Sequence, residues 1–205
     1  MATEERDPAP GGLRLVQELV NTVDLETGDE ELDSVDGLRR WLAAQHLGGR
    51  STPGPADLRR ALALRESLRR LLLAHNHTGS PVAAAAELRA LARDARITPQ
   101  VRDDGTVALA AADPGVEGLV ESVLVAIHAA EADGSWARLK ACPAQRCHWA
   151  FFDASRNRSG TWCTMAVCGT RAKARSYQRR LRASRDRAAA PAPPRPRAAP
   201  SAAAR

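Results

Sequence analysis

The sequence predicts a mainly α-helical protein: a helical N-terminal domain with one small β-hairpin, then a small metal-stapled module and a basic helix. Three observations carry that expectation. Aromatic residues make up only 3% of a 205-residue chain that is 44% apolar, so aliphatic side chains must build the core, which favours packed helices over a sandwich of strands. All four cysteines fall between residues 142 and 168, and such close clustering points to a shared metal. Charge is segregated along the chain: residues 1–135 carry 14 Lys and Arg against 22 Asp and Glu, a net −8, while residues 136–205 carry 16 against 2, a net +14. An acidic body joined to a basic tail suggests that the two parts do different jobs and that the second meets a polyanion.

The elements follow in order. Residues 1–12, with Pro8, Pro10, Gly11 and Gly12, read as a flexible lead-in. Leu15, Val16, Leu19, Val20 and Val23 then form one apolar stripe, predicting a helix over 13–25 that ends before Gly28 and Asp29-Glu30-Glu31. A second helix, over 36–47, places Leu38, Trp41 and Leu42 together and stops at Gly48-Gly49. Pro53 and Pro55 introduce a longer helix over 56–75, in which Ala61, Leu64, Leu68, Leu71 and Leu72 recur at helical spacing. Arg59, Arg60, Arg65, Arg69 and Arg70 fill much of the remainder and read as a solvated face.

A further helix over 82–95 precedes two short runs, 97–102 and 106–110, separated by Asp103-Asp104-Gly105, a hairpin signal. Asp113-Pro114 is placed to cap and open the next helix, with Pro at its first position and Val120, Val123, Leu124 and Ile127 on its core face. The helical domain thus spans 13–135, the metal module and its basic helix 136–187. Residues 188–205, rich in Ala, Pro and Arg, have nothing to form a core and read as disordered, with Arg195, Arg197 and Arg205 adding nonspecific attraction to polyanions.

Cys142 and Cys147 are separated by four residues, Cys147 and Cys163 by fifteen, Cys163 and Cys168 by four. Two paired ligand sites across a loop make the pattern of a closed tetrahedral zinc site in a treble-clef or ribbon-like finger, and four thiolates leave no open position for a substrate water. One structural Zn²⁺ is therefore expected. Four unligated thiols, two disulfides, or His148 replacing Cys147 are the alternatives. Pro143 favours a tight turn after the first ligand, and 148–152 reads as a strand leaving it, with Trp149 and Phe151 on one face. With Trp162 and Met165 they are expected to form a miniature core, too small to fold without the metal. His46, His75, His77 and His128 have no partner spacing and read as surface or satisfied core residues.

After Cys168-Gly169 come Arg171, Lys173, Arg175, Arg179, Arg180, Arg182, Arg185 and Arg187 against the single acid Asp186. As a helix, this run puts Ala174, Tyr177 and Leu181 on a packing stripe surrounded by cations. Arginine forks bind phosphate bidentately and read guanine in the major groove. Arg156 and Arg158, in the polar loop between the cysteine pairs, are expected to extend the phosphate footprint, and Asn157 and Gln178 are candidates for base contacts. A merely solvated charge run, or a helix for an acidic protein or membrane surface, are the alternatives.

The stretch CPAQRCHWAFFDASRNRSGTWCTMAVCGTRAKARSY resembles the CGNR-type zinc finger of bacterial proteins, through its cysteine spacing, Phe-x-Asp-x-Ser-Arg-Asn and Trp-Cys-x-Met. The helical part before it looks like the ABATE domain, with Leu19-Val20-Asn21-Thr22 matching that domain's early helix motif, and the two resemblances span about residues 13–182. They imply a stress-responsive transcription regulator whose finger binds DNA, with Cys142, Cys147, Cys163 and Cys168 as zinc ligands. Two departures stand out: Thr170 follows Cys-Gly where the family has Asn, and Ser159-Gly160-Thr161 replaces a more basic approach to Trp162. If that Asn contacts a base, sequence preference differs here; if it caps the basic helix, Thr170 still does so.

The sequence expectation is therefore a zinc-binding, DNA-binding transcription regulator, with RNA or ribosome binding, a protein-interaction finger and a zinc-thiolate redox sensor as alternatives. No Gly-rich phosphate loop, nucleophile elbow or His/carboxylate cluster suggests an enzyme. A small-molecule effector or protein partner is expected on the helical domain, with Asn21, Thr22, Arg39 and Trp41 as candidate pocket residues. No secretory leader pattern opens the chain and no run approaches the roughly 18 apolar residues of a membrane span, so a cytoplasmic protein without a membrane partner is expected. No heptad marks a dimer seam.

Overall fold

Leucines and alanines at three- and four-residue spacing produce the helices, and a computed structural model of the chain describes residues 8–49 and 52–189. The expected lead-in up to residue 7 and the expected tail from residue 190, with Arg195, Arg197 and Arg205, lie outside the described residues. The order is α1 (Leu13–Val20), α2 (Val35–Ala44), α3 (Pro55–His75), α4 (Val82–Leu91), β1 (Ile97–Val101), β2 (Val107–Ala111) and α5 (Gly115–Ala132). A 3-10 turn (Trp136–Arg138), β3 (Leu139–Ala141), β4 (Ala150–Phe152), a π-helical turn (Met165–Gly169) and α6 (Thr170–Ala189) follow. The chain divides into two units, one ending at Gly169 and one beginning at Thr170.

In the first unit α3 is the central element, packed against α1, α2, α4 and α5. Leu64, Leu68 and Leu72 are fully buried along it and meet Val16, Leu19 and Val20 of α1, Leu38 and Leu42 of α2, and Leu119, Val120 and Val123 of α5 in one core. That core continues through Leu139, Ala141 and Ala150, so the second hairpin is part of it. β3 lies along α3 and β4 against α1.

Element ends differ from expectation for identifiable reasons. The first helix stops at Val20 because Asn21 turns its amide to β4, and a bridge between Val23 and Glu30 then folds the following loop back on itself. α2 starts earlier, at Val35, because Ser34 accepts the Gly37 N–H at 3.0 Å as an N-cap. Pro114 precedes α5 instead of opening it, and Asp113 caps nothing there, its carboxylate being paired with Arg96. The arginines of α3 are not all solvated: Arg65 is 6% and Arg69 4% exposed, while Arg59 and Arg70 face water. Residues 65 and 69 follow Ala61 by four and eight, which places them on the buried stripe despite their charge.

The first hairpin is antiparallel in the register Ile97↔Ala111 to Val101↔Val107, closed through the Asp-Gly turn by Arg102 N–H to Thr106 O at 2.8 Å, with Gly105 at φ +80°. Its base is held by Glu121 of α5. That fully buried carboxylate accepts the backbone N–H groups of Arg96, Ala112 and Asp113 at 2.6, 2.8 and 3.0 Å. Glu121→Ala therefore strands three donors. It is expected to cost about 1.5–3 kcal/mol in denaturant unfolding and to speed amide exchange at Arg96, Ala112 and Asp113 more than in α3.

Candidate metal centre

Each ligand is placed by a short backbone device. β3 and β4 pair as Leu139↔Phe152, Lys140↔Phe151 and Ala141↔Ala150, and Cys142 N–H to Trp149 O at 3.0 Å carries the ladder one residue further, to the first cysteine. Between the strands, Cys147 and His148 both donate to Ala144 O, at 2.8 and 3.2 Å, and His148 takes the left-handed conformation (φ +48°) that returns the chain to β4. The second pair sits around the π-helical turn, closed by Gly169 N–H to Thr164 O at 3.1 Å. A side chain at Gly169 would come within 2.7 Å of the Met165 sulfur, so the Met165 side chain packs closely over the turn.

These devices bring the sulfurs of Cys142, Cys147, Cys163 and Cys168 within 4.8 Å of one another. Cys147 to Cys163 is 3.5 Å and Cys163 to Cys168 3.7 Å. Metal–sulfur bonds of about 2.3 Å in a tetrahedron give edges of about 3.8 Å, so the spacing fits a shared ion. It does not fit disulfides, whose sulfurs lie about 2.05 Å apart, and all four are free. His148 is not among the clustered donors. Cys142 and Cys168 are buried, Cys147 and Cys163 half-buried.

Hydrogen bonds from the Cys147 and Cys163 thiols pull Cys142 down, while the same contacts push Cys147 and Cys163 up; burial and the charge on Cys142 push Cys168 up. Without a cation the cluster favours one thiolate among thiols; a dication stabilises four thiolates together. The expected miniature aromatic core is only partly formed: Phe151 is buried, Trp149 and Trp162 are half-buried, and Met165 is 55% exposed. Apolar support for the centre comes from the helical core instead.

The loop between the pairs is braced by a buried ion pair that the sequence reading did not single out. Asp153, 3% exposed, accepts from Lys140 Nζ at 2.7 Å, from the Ser155 N–H and hydroxyl at 3.0 and 2.5 Å, and from the Gly160 N–H at 2.8 Å. Lys140 also donates to the carbonyls of Arg158 and Gly160, at 2.7 and 3.0 Å. The loop so held exposes Arg156, Asn157 and Arg158. The Phe-x-Asp-x-Ser motif carried a signal for Asp153; Lys140 carried none, because a lysine in a three-residue strand reads as solvated.

Sequence-picked residues of the helical domain fall in two places. Arg39 lines a cavity of about 310 Å³ with Leu42, Asp57, Pro114 and Glu117 among others. Asn21, Thr22 and Trp41 do not line it. Asn21 pairs with the Ala150 backbone in both directions, accepting at 2.7 Å and donating at 3.0 Å. Thr22 donates to Leu19 O at 2.9 Å and accepts from Arg65 at 3.0 Å, and Trp41 is buried in the core. In α6, Lys173, Arg175, Arg179, Arg180 and Arg182 are exposed. Tyr177 and Leu181, expected to pack, are exposed too, the stripe they share with Ala174 being narrow among so many cations.

Two outcomes follow. Cys163→Ser is expected to reduce bound zinc from one per chain to well below that, read by elemental analysis. Burial raises the Asp153 pKa, but the bonds from Lys140, Ser155 and Gly160 outweigh it and hold the carboxyl at about 2. Since the folded value is depressed, the associated stability is present above the unfolded value of about 4 and is lost as pH falls toward the folded one. Asp153→Asn should thus lose on the order of 2 kcal/mol at pH 7, with the gap from the unmodified protein narrowing between pH about 4 and 2 in denaturant titrations.

The sequence profile of the CGNR zinc finger matches residues 138–181, and that of ABATE, described as "Putative stress-induced transcription regulator", matches residues 13–136. No curated protein matches the chain. The finger profile and the four clustered sulfurs agree on one structural zinc. With most of its length matched by the first domain, the chain belongs to the ABATE family and carries a CGNR zinc finger.

Proposed function

We propose that the protein is a cytoplasmic, non-enzymatic transcription regulator that grips DNA through α6 and the loop between its cysteine pairs. The observation that carries this reading is the charge of α6. From Thr170 to Arg185 the helix holds no acidic residue, and Arg171, Arg175, Arg179, Arg182 and Arg185 succeed one another at steps of four, four, three and three. Those steps put five guanidinium groups along one stripe of a helix about 30 Å long. A stripe of forks suits phosphates flanking a major groove, which admits an α-helix. Lys173 and Arg180 lie on another side, and Arg156 and Arg158 supply further cations from the braced loop. The zinc in this reading is structural: it fixes the turn from which α6 starts and takes no part in chemistry.

Regulation is assigned to the helical domain. The cavity beside Arg39, with Asp57 and Glu117 in its wall, suits a small polar effector better than an apolar one. Membership of a family described as regulators supports the reading, and among the described residues no helix is long and apolar enough to cross a membrane.

The test is a titration of the zinc-loaded protein with labelled duplex DNA, and with RNA as competitor, at several salt concentrations. Binding that weakens steeply with salt and yields less readily to RNA than to DNA is expected; preferential displacement by RNA would move the reading to an RNA-binding finger. The double variant Arg175→Ala with Arg179→Ala should keep one zinc per chain and lower the slope of log K against log salt by about 2. An unchanged slope removes α6 from the interface.

A further inference from the structure

The two cysteine pairs lie within the finger match, yet three of the four ligand-bearing segments are hydrogen-bonded by α3 and its C-cap Asn76, both wholly within the ABATE match. Asn76 follows the last residue of α3 and is 7% exposed. Its side-chain amide donates both protons: one to Ala141 O at 2.9 Å, the residue before Cys142, and one to Thr161 O at 2.7 Å, two residues before Cys163. A single amide therefore spans the ribbons that deliver one sulfur from each cysteine pair. Arg69, two turns earlier on the same side of α3, donates at 3.2 Å to the carbonyl of His148, the residue after Cys147, and at 2.8 Å to Val20 O. His75 meets Leu139 O at 2.9 Å.

We infer that Asn76 is a positioning residue for the zinc centre: its amide holds the Cys142 and Cys163 ribbons at the separation a shared ion requires, so that the helical domain sets part of the finger's zinc affinity. The chemistry is that of a cross-brace. In the metal-free chain four sulfur ligands gain little from one another, and the entropy of bringing two loops together must be met before the ion binds. Side-chain donors fixed on a packed helix meet part of that cost in advance, and groups that orient metal ligands through hydrogen bonds typically contribute 10–100-fold to affinity. Only an amide suits the position, because two carbonyls need two donors and the buried site has no room for an uncompensated charge. The inference rests on the zinc centre alone and stands whether or not α6 binds DNA.

The test uses the full chain with Asn76→Ala, Asn76→Ser and, as a control for the helix end, Thr78→Ala, whose hydroxyl donates to Asn76 O at 3.3 Å. Zinc affinity is read by competition with a chromophoric chelator, ligand geometry by the visible spectrum of the Co²⁺-substituted protein, and helix content by circular dichroism with and without metal. Asn76→Ala should weaken zinc about 10–100-fold while the helical signal persists, with altered cobalt bands. Asn76→Ser, retaining one donor, should fall between it and the unmodified chain, and Thr78→Ala should match the latter. The inference is overturned if both Asn76 variants bind zinc within about twofold of the unmodified protein, or if their melting temperatures fall equally with and without zinc. Either result would reduce Asn76 to an end cap of α3. Should Asn76→Ala fail to fold, the milder Asn76→Ser decides by the same affinity readout.

Discussion

Four sulfur atoms within 4.8 Å of one another repel as thiolates and attract only feebly as thiols, so the fully ionised cluster is stable only with a dication between them. Much else hangs on that constraint. The hairpin carrying the first pair contributes Leu139, Ala141 and Ala150 to the helical core, and the turn carrying the second pair ends at Gly169, where the basic helix starts. Metal binding thus supports a hairpin that the core uses and fixes the end from which α6 runs. Zinc binding contributes on the order of 10 kcal/mol in small sites of this kind, comparable with the whole net stability of an ordinary domain.

A second constraint lies beneath the metal. Arg65 and Arg69 are buried on α3, and a buried guanidinium without partners costs several kcal/mol. Here Arg65 is met by both oxygens of Glu30 at 2.7 and 2.8 Å, by Glu66 at 2.9 Å and by Thr22. Arg69 is met by Glu66 at 3.1 Å and by two backbone carbonyls. Burial lowers the Arg69 pKa while the charge of Glu66 works against that shift, leaving an ionised group whose geometry is set by its partners. The pair joins the loop after α1 to α3, and through His148 joins α3 to the metal hairpin. Polar groups that look like a solvated face instead tie the loop after α1 to α3 and, through Arg69, α3 to the metal hairpin.

The charge segregation gains a physical sense from this arrangement. The acidic loop after α1 sets Glu30 against a buried arginine, and several basic residues of the first unit are ion-paired within it: Arg65 and Arg69 in the network, Arg96 with Asp113, Lys140 with Asp153. The arginines of α6 have no acidic neighbour between Thr170 and Arg185. What distinguishes the two sets is the supply of carboxylates, 22 in residues 1–135 against 2 in residues 136–205.

The sequence by itself determined the helical class, the hairpin at Asp103-Asp104-Gly105, the zinc ligands and the basic helix, because each is written in local terms: a repeat of 3.6, a turn dipeptide, paired cysteines, a run of arginines. It also marked Asn21 and Thr22, but their roles were not legible, since nothing local says that Asn21 pairs with a strand 129 residues later. The same holds for Asn76, Arg65, Arg69, Lys140 and Glu121. Each is a buried polar residue satisfied at least in part by partners outside its own helix or strand, and a periodicity that sorts apolar from polar must place such residues outside. Only the tertiary structure decided which polar groups are inside, because that choice depends on whether a distant carbonyl or carboxylate arrives to satisfy them.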